Sequence, residues 1–209
     1  EQKPKYLVIH DDGFNYLTKM CLTKMREACF EMIQLGKNHD CTVIISSSDA
    51  TDHYTEYLDK GADFIIQGEG ELTLLELINS LENQLQIDTI SGIAFKNNNE
   101  IQINSKRSVL VQLDDLPLPA CDLVDIESYK TIWKQSGQEF TLNIATTRGC
   151  PYKCNWCAKP IYGNRYNSRS PERVAAEIEH LINQYGVRHF WMADDIFGLK
   201  PGWAQRFRD

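Results

Sequence analysis

The 209 residues are 42% apolar and 24% charged, ordinary proportions for a globular chain of one large or two small domains. A formal net charge of −7, from 22 Lys plus Arg against 29 Asp plus Glu, argues against a nucleic-acid backbone as the main partner, since that role needs a basic face. No apolar run approaches the roughly 20 residues that cross a bilayer. The polar opening and the short apolar stretch after it lack the form of a signal peptide, so the cytoplasm is the expected compartment.

In chain order, Lys5-Tyr6-Leu7-Val8-Ile9-His10 reads as a buried strand. Leu22, Met25, Cys29, Met32 and Ile33 then recur at helical spacing, with Gly36 as the expected stop. A second strand is expected over 42–46, a short helix near 51–60 closed by Gly61, a third strand over 63–66 and a helix from about 71 to 83. Strands alternating with helices imply parallel pairing through right-handed crossovers, so the first fold class is α/β: a Rossmann-like doubly wound sheet.

The character then changes. Ile93-Ala94-Phe95 and Ile101-Gln102-Ile103 flank a polar turn and predict a hairpin. Residues 105–139 show no strong periodicity, and Leu116-Pro117-Leu118-Pro119 reads as an interdomain connection. A second α/β unit starts with a strand over 140–145. Ser170-Pro171-Glu172 carries the N-cap, N1 proline and acidic first turn of a helix, and Val174, Ile178, Leu181 and Ile182 mark its expected buried face. A strand over 187–192 ends at Ala193-Asp194-Asp195. The expected division is 1–88, a Rossmann-like domain; 89–139, hairpin and linker; and 140–209, the start of a partial β/α barrel.

Seven cysteines is a high count for this length. Cys21, Cys29, Cys41 and Cys121 are scattered and read as small buried hydrophobes. Cys150, Cys154 and Cys157 are clustered as C-x-x-x-C-x-x-C, with Trp156 before the third. Three readings compete for them: buried free thiols, a structural zinc site completed by His180 or His189, or an iron–sulfur cluster with one iron left without a protein ligand. The tight spacing and the flanking Gly149 and Pro151 weigh against the first. The lack of a second paired motif weighs against the second. Ferredoxin clusters take four cysteines, so a local set of three suggests an iron open to a ligand.

On these residues, 141–203 resembles the opening of the core domain of the radical S-adenosylmethionine (SAM) superfamily, whose hallmark is C-x-x-x-C-x-aromatic-C after the first strand of a parallel β/α barrel. The resemblance implies a 4Fe-4S cluster on Cys150, Cys154 and Cys157. It also implies SAM on the open iron, cleaved to methionine and a 5′-deoxyadenosyl radical, with Trp156 near the adenine. In the family a short motif after the second strand, often Gly-Gly-Glu, contacts the SAM ammonium. Here the carboxylates of Asp194 and Asp195 stand at that place without the glycines, and an exposed acidic turn is the competing reading.

The segment 61–71, with Gly68-Glu69-Gly70 at a strand-to-helix turn, resembles the last strand and loop of the cobalamin-binding domains that precede this core. Ser46 and Ser47 occupy the place of the usual Gly-Gly, and the cobalt-ligating D-x-H-x-x-G signature is absent. His10-Asp11-Asp12-Gly13 copies only its second half. By resemblance the cofactor-binding set is Trp156, Asp194, Asp195, Ser46, Ser47, Gly68, Glu69 and Gly70.

The implied activity of the whole protein is methyl transfer from cobalamin to an unactivated carbon of a small molecule, fed by a reductant such as flavodoxin or ferredoxin. One alternative is the anaerobic ring-forming cyclase of the same architecture. Another is a non-catalytic zinc- or cobalamin-binding protein. A β/α barrel takes ~200 residues or more, and fewer than half of these follow Phe140, so the chain reads as an internal piece that is expected not to turn over alone.

Overall fold

A computed structural model describes residues 3–10, 21–155 and 161–209. The chain divides into two units, Glu1–Val109 with Pro160–Tyr162 and Leu110–Lys159 with Gly163–Asp209.

The first unit is built on a five-stranded sheet in the order β1 (Tyr6–His10), β2 (Thr42–Ser46), β3 (Phe64–Ile66), β4 (Ile93–Asn97), β5 (Glu100–Ile103). The first three strands are parallel, joined by helix α1 (Leu22–Asn38) and by the short pair α2 (Ser48–Asp52) and α3 (Tyr54–Asp59). Helix α4 (Glu71–Glu82) follows β3. Alternation along the strands sorts the core into two layers. Val43, Ile45 and Ile65 pack with Ile33 of α1 and with Ala50, Tyr57 and Leu58 of α2 and α3. Ile44, Phe64 and Ile66 pack with Leu77 of α4 on the other face. Helices on both faces make the sheet doubly wound, as its near-continuous apolar strands require.

The hairpin does more than connect. β4 runs antiparallel to β3, pairing Phe64 with Phe95 and Ile66 with Ile93, so the hairpin extends the first sheet. Its turn residues Asn98 and Asn99 both take positive φ, 50° and 68°, the geometry that suits a two-residue hairpin.

Other local readings need correcting. Gly36 does not stop α1; it lies inside the helix, where an added Cβ would stand 2.6 Å from Leu7 Cδ2 and 2.9 Å from Val43 Cγ2. The glycine lets the helix approach the sheet. Leu22, Met25 and Met32 are exposed, and the helix buries Ile33 and Gly36 instead. Of the scattered cysteines only Cys41 is buried, while Cys21 is exposed.

In the second unit, β6 (Thr141–Ile144) and β9 (His189–Met192) pair in parallel, with helix α6 (Pro171–Tyr185) as the crossover. A two-residue ladder, β7 (Thr147–Arg148) against β8 (Asn167–Ser168), lies between them in sequence. The core joins Ile144, Val174, Leu181 and Trp203, the last from α7 (Trp203–Arg208). Ser170 caps α6 as expected, its hydroxyl accepting from the Arg173 amide at 3.1 Å, and Pro171 follows at the first helical position. Ile182 is exposed, whereas Glu177 is buried in its place. Helix α5 (Ile126–Gln135) occupies part of the stretch without periodicity, capped by Asp125. No helix among the described residues is long and apolar enough to cross a membrane.

Candidate functional site

The cysteine loop leaves the C-terminal end of β6, the edge on which parallel β/α folds place their sites. Ile144 anchors the strand in the core at 1% exposure, and the β7–β8 ladder closes the neck of the loop. The Arg169 amide donates to the Thr146 carbonyl at 2.9 Å, extending that neck. Gly149 turns the chain at φ 78°, a conformation that strains other residues, and delivers Cys150. Cys150 is half-buried and Cys154 exposed, and neither is in a disulfide. Cys157 and Trp156 lie outside the described residues. The thiol donors at this spacing, on a loop closed at its root, fit a cluster ligand set.

The loop after β9 is laced to the same neck. Asp194 Oδ1 accepts from the backbone amides of Thr146 (2.7 Å) and Thr147 (2.8 Å), and its Oδ2 accepts from the Thr146 hydroxyl (2.6 Å). The Thr147 hydroxyl donates to the Ile196 carbonyl at 3.2 Å, and the Leu199 amide donates to the Tyr166 phenol oxygen at 3.1 Å. Asp195, the next residue, is exposed. The sequence-predicted carboxylates thus divide: one is engaged inside the fold and one faces outward.

On the other side of the neck, Arg169 donates to the Ala145 carbonyl at 3.2 Å and forms an ion pair with Glu177 of α6. Its side chain is 14% exposed and that of Glu177 4%. Trp203 donates its indole N–H to the Arg169 carbonyl at 2.7 Å. None of Thr146, Thr147, Tyr166, Arg169 and Glu177 is singled out by sequence reasoning; the Thr-Thr pair directly before the cysteine hallmark was the available signal.

The two histidines named for the zinc alternative lie on different elements, β9 and α6. His189 begins β9, opposite Thr141, at the strand end away from the cysteine loop. His180 lies more than two turns into α6, exposed and edge-on to Tyr185.

The predicted residues of the first unit meet at the C-terminal edge of its parallel strands. Ser46 ends β2 and is 3% exposed. Ser47 caps α2, its hydroxyl accepting from the Ala50 amide at 2.9 Å. Gly68-Glu69-Gly70 links β3 to α4, with Gly68 at φ 88° and its amide donating to the Thr51 hydroxyl at 3.3 Å. A Cβ on Gly70 would lie 2.7 Å from Ser46 Oγ and 3.7 Å from the His10 ring, so a side chain there would collide with the end of β2. Among the described residues, a Cβ on Gly68 would meet nothing within 4 Å. Bare backbone at Gly68, open to its surroundings among the described residues, suits a bulky cofactor at a strand-end crevice.

Behind this edge, Asp49 of α2 accepts from two of the guanidinium nitrogens of Arg26, Nε and Nη2, each at 2.6 Å, and from the Tyr57 hydroxyl at 2.6 Å. Burial pushes the Asp49 carboxyl up, but the hydrogen bonds from Arg26 and Tyr57 outweigh it and hold the group below its ordinary value. Burial, then the bond to Asp49, pushes the Tyr57 phenol strongly up.

Residues 144–208 match the family model for the radical SAM superfamily. Over 138 residues the chain is 33% identical to an uncharacterized methyltransferase of Pyrococcus horikoshii, covering 66% of this chain and 29% of that protein. It is 34% identical over 147 residues to the anaerobic magnesium-protoporphyrin IX monomethyl ester cyclase of Synechocystis, covering 69% and 28%. Among solved structures, the radical SAM methyltransferase TsrM of Kitasatospora setae, with cobalamin and a [4Fe-4S] cluster bound, superposes with a TM-score of 0.73 at 19% identity, covering 99% of this chain and 40% of that one. The cobalamin-dependent radical enzyme OxsB gives 0.69 at 21%, covering 98% and 28%. Through residues 144–208 the chain belongs to the radical SAM superfamily. Its two units share the fold of the cobalamin-dependent members just described, and it spans under a third of the length of the curated relatives it matches.

Proposed function

We propose that the whole protein is a radical SAM enzyme that transfers a methyl group by way of cobalamin to an unactivated carbon of a small molecule. The observation that carries the reading is the C-x-x-x-C-x-x-C loop issuing from the end of the first strand of a βαβ unit that matches the family. When bound, the 4Fe-4S cluster, SAM and cobalamin supply one-electron carbon–sulfur cleavage and the methyl carrier.

The chain's own residues bind and orient. Cys150, Cys154 and Cys157 ligate the cluster and leave one iron for SAM. Trp156 flanks the adenine, and the Asp194-Asp195 turn supplies the carboxylate for the SAM ammonium. Ser46, Ser47 and Gly68-Glu69-Gly70 line the cobalamin edge, where small side chains allow close backbone approach. Cysteines kept as cluster ligands belong in a reducing compartment, here the cytoplasm, where flavodoxin or ferredoxin supplies the electron.

Anaerobic iron and sulfide should give the whole protein the broad visible absorbance of a cluster, lost in Cys154→Ala, and the protein should keep cobalamin through gel filtration. Stoichiometric zinc with no iron uptake would sink the cluster reading; cobalamin lost on the column would sink the first unit's part in it. A second reading is ring closure, favoured by the 34% identity to the anaerobic cyclase. Product that carries no methyl from labelled SAM would select it.

A further inference from the structure

We infer that Asp194 is a positioning residue that fixes the root of the cysteine loop, and that Asp195 alone is the carboxylate for the SAM ammonium. The inference rests on the radical SAM reading above and divides the work of two adjacent carboxylates within it.

Asp194 accepts three short hydrogen bonds, two on Oδ1 and one on Oδ2, all from Thr146 and Thr147. Those threonines are 0% and 2% exposed. Their amides emerge just past the end of β6, where the ladder to β9 has stopped, since Ala193 already spends its amide on the Ile144 carbonyl at 2.8 Å. Buried N–H groups need partners, and the Asp194 carboxylate provides both. Bonds to an ionised acceptor are stronger than neutral ones.

The consequence reaches the sulfurs through the chain. Thr147 opens β7, and Cys150 follows three residues later around the Gly149 turn. The Thr147 hydroxyl to the Ile196 carbonyl and the Leu199 amide to Tyr166 tie the same two loops at further points. Asp195 leaves this laced segment directly and is exposed. Asp194 therefore sets where the Asp195 carboxylate stands relative to the cysteine loop. The inner aspartate supports and the outer one contacts the ligand.

The test uses the whole protein and four variants. In iron-free protein, Asp194→Ala should speed amide exchange at Thr146, Thr147 and 148–155 by about ten-fold or more, the scale of a lost bond to a charged group, with α6 unchanged. Asp194→Asn should keep most of the protection, because its amide oxygen still accepts from both N–H groups and its NH2 donates to the Thr146 hydroxyl. Asp195→Asn should leave exchange untouched. After reconstitution, Asp195→Asn should weaken SAM affinity and abolish the SAM-induced change in the reduced cluster's electron paramagnetic resonance signal, while Asp194→Asn should keep both.

Unchanged exchange in Asp194→Ala overturns the proposal. So does an Asp194→Asn protein that loses SAM affinity as Asp195→Asn does while its amides stay protected. Should Asp194→Ala fail to fold, seen as lost protection throughout α6, Thr146→Val decides: it removes only one hydroxyl bond, and a several-fold rise at Thr146 and Thr147 is expected, no rise being fatal. A wild-type protein that takes up no cluster overturns the radical SAM reading and the role of Asp195 with it, whereas the iron-free exchange still tests the neck.

Discussion

The strand-end edge of the first unit and the cysteine-loop neck of the second occupy the same place in their folds but are held by different forces. Behind Ser46 and Gly68-Glu69-Gly70 stand two apolar layers, one on each face of the sheet, with Ile44, Ile45, Ile65 and Ile66 at 0–1% exposure. That edge takes its shape from packing, and Gly70 is shaped by how near Ser46 comes. Among the described residues, the neck of the second unit rests on the β6–β9 pair and a smaller cluster, four buried residues with partly buried neighbours, and it is tied by Asp194, Arg169 and Glu177. One site is moulded by the core; the other is tied by a few polar groups, each of which matters more.

This contrast predicts where single substitutions act. Arg169→Ala should have the largest effect: it leaves Glu177 buried without its cation and removes the bond to the Ala145 carbonyl, a loss of about 3–5 kcal/mol. Peptide-resolved hydrogen exchange should show it across α6 and the loop neck while β2 and β3 stay protected. Ile65→Ala, in the centre of the first sheet, should cost about 2–5 kcal/mol and show the reverse pattern. An effect spread evenly over both units in either variant would remove the distinction.

Ser170→Ala should cost about 1 kcal/mol through loss of the helix cap, read as earlier fraying of α6 with the Thr146 amide unaffected. Acid offers a graded break of the first unit. The folded Asp49 carboxyl is held below its ordinary value, so its contribution is complete above that value and fades as pH falls through it toward the folded one. Exchange in α1, α2 and α3 should rise over that interval and not on the alkaline side of it; Asp49→Asn should flatten the response.

Much of the second unit was legible from short stretches of chain. The cysteine spacing, the Ser170-Pro171-Glu172 start and the strand leading into the loop each depend on residues a few positions apart, and each signal names its own partner. The missed helix α5 carries a local cap at Asp125 and the apolar residues Ile126, Tyr129 and Trp133 at helical spacing, so its signal was present in the sequence, although Tyr129 and Ile132 face solvent. Gly36 was misread for another reason: glycine ends helices by its backbone freedom and also permits close contact by its missing side chain, and only the nearness of Leu7 and Val43 separates the two.

By itself the sequence determined the alternation of strands and helices, the hairpin, the thiol spacing and the chemistry that spacing allows, because these follow from periodicity, caps and turns acting over a few residues. Tertiary structure decided that the hairpin joins the first sheet, that Glu177 replaces an apolar residue on the inner face of α6, and that Asp194 turns inward while Asp195 does not. These outcomes depend on partners far along the chain, 48 residues apart for Asp194 and Thr146. A carboxylate becomes a support rather than a contact only when folding places buried amides beside it.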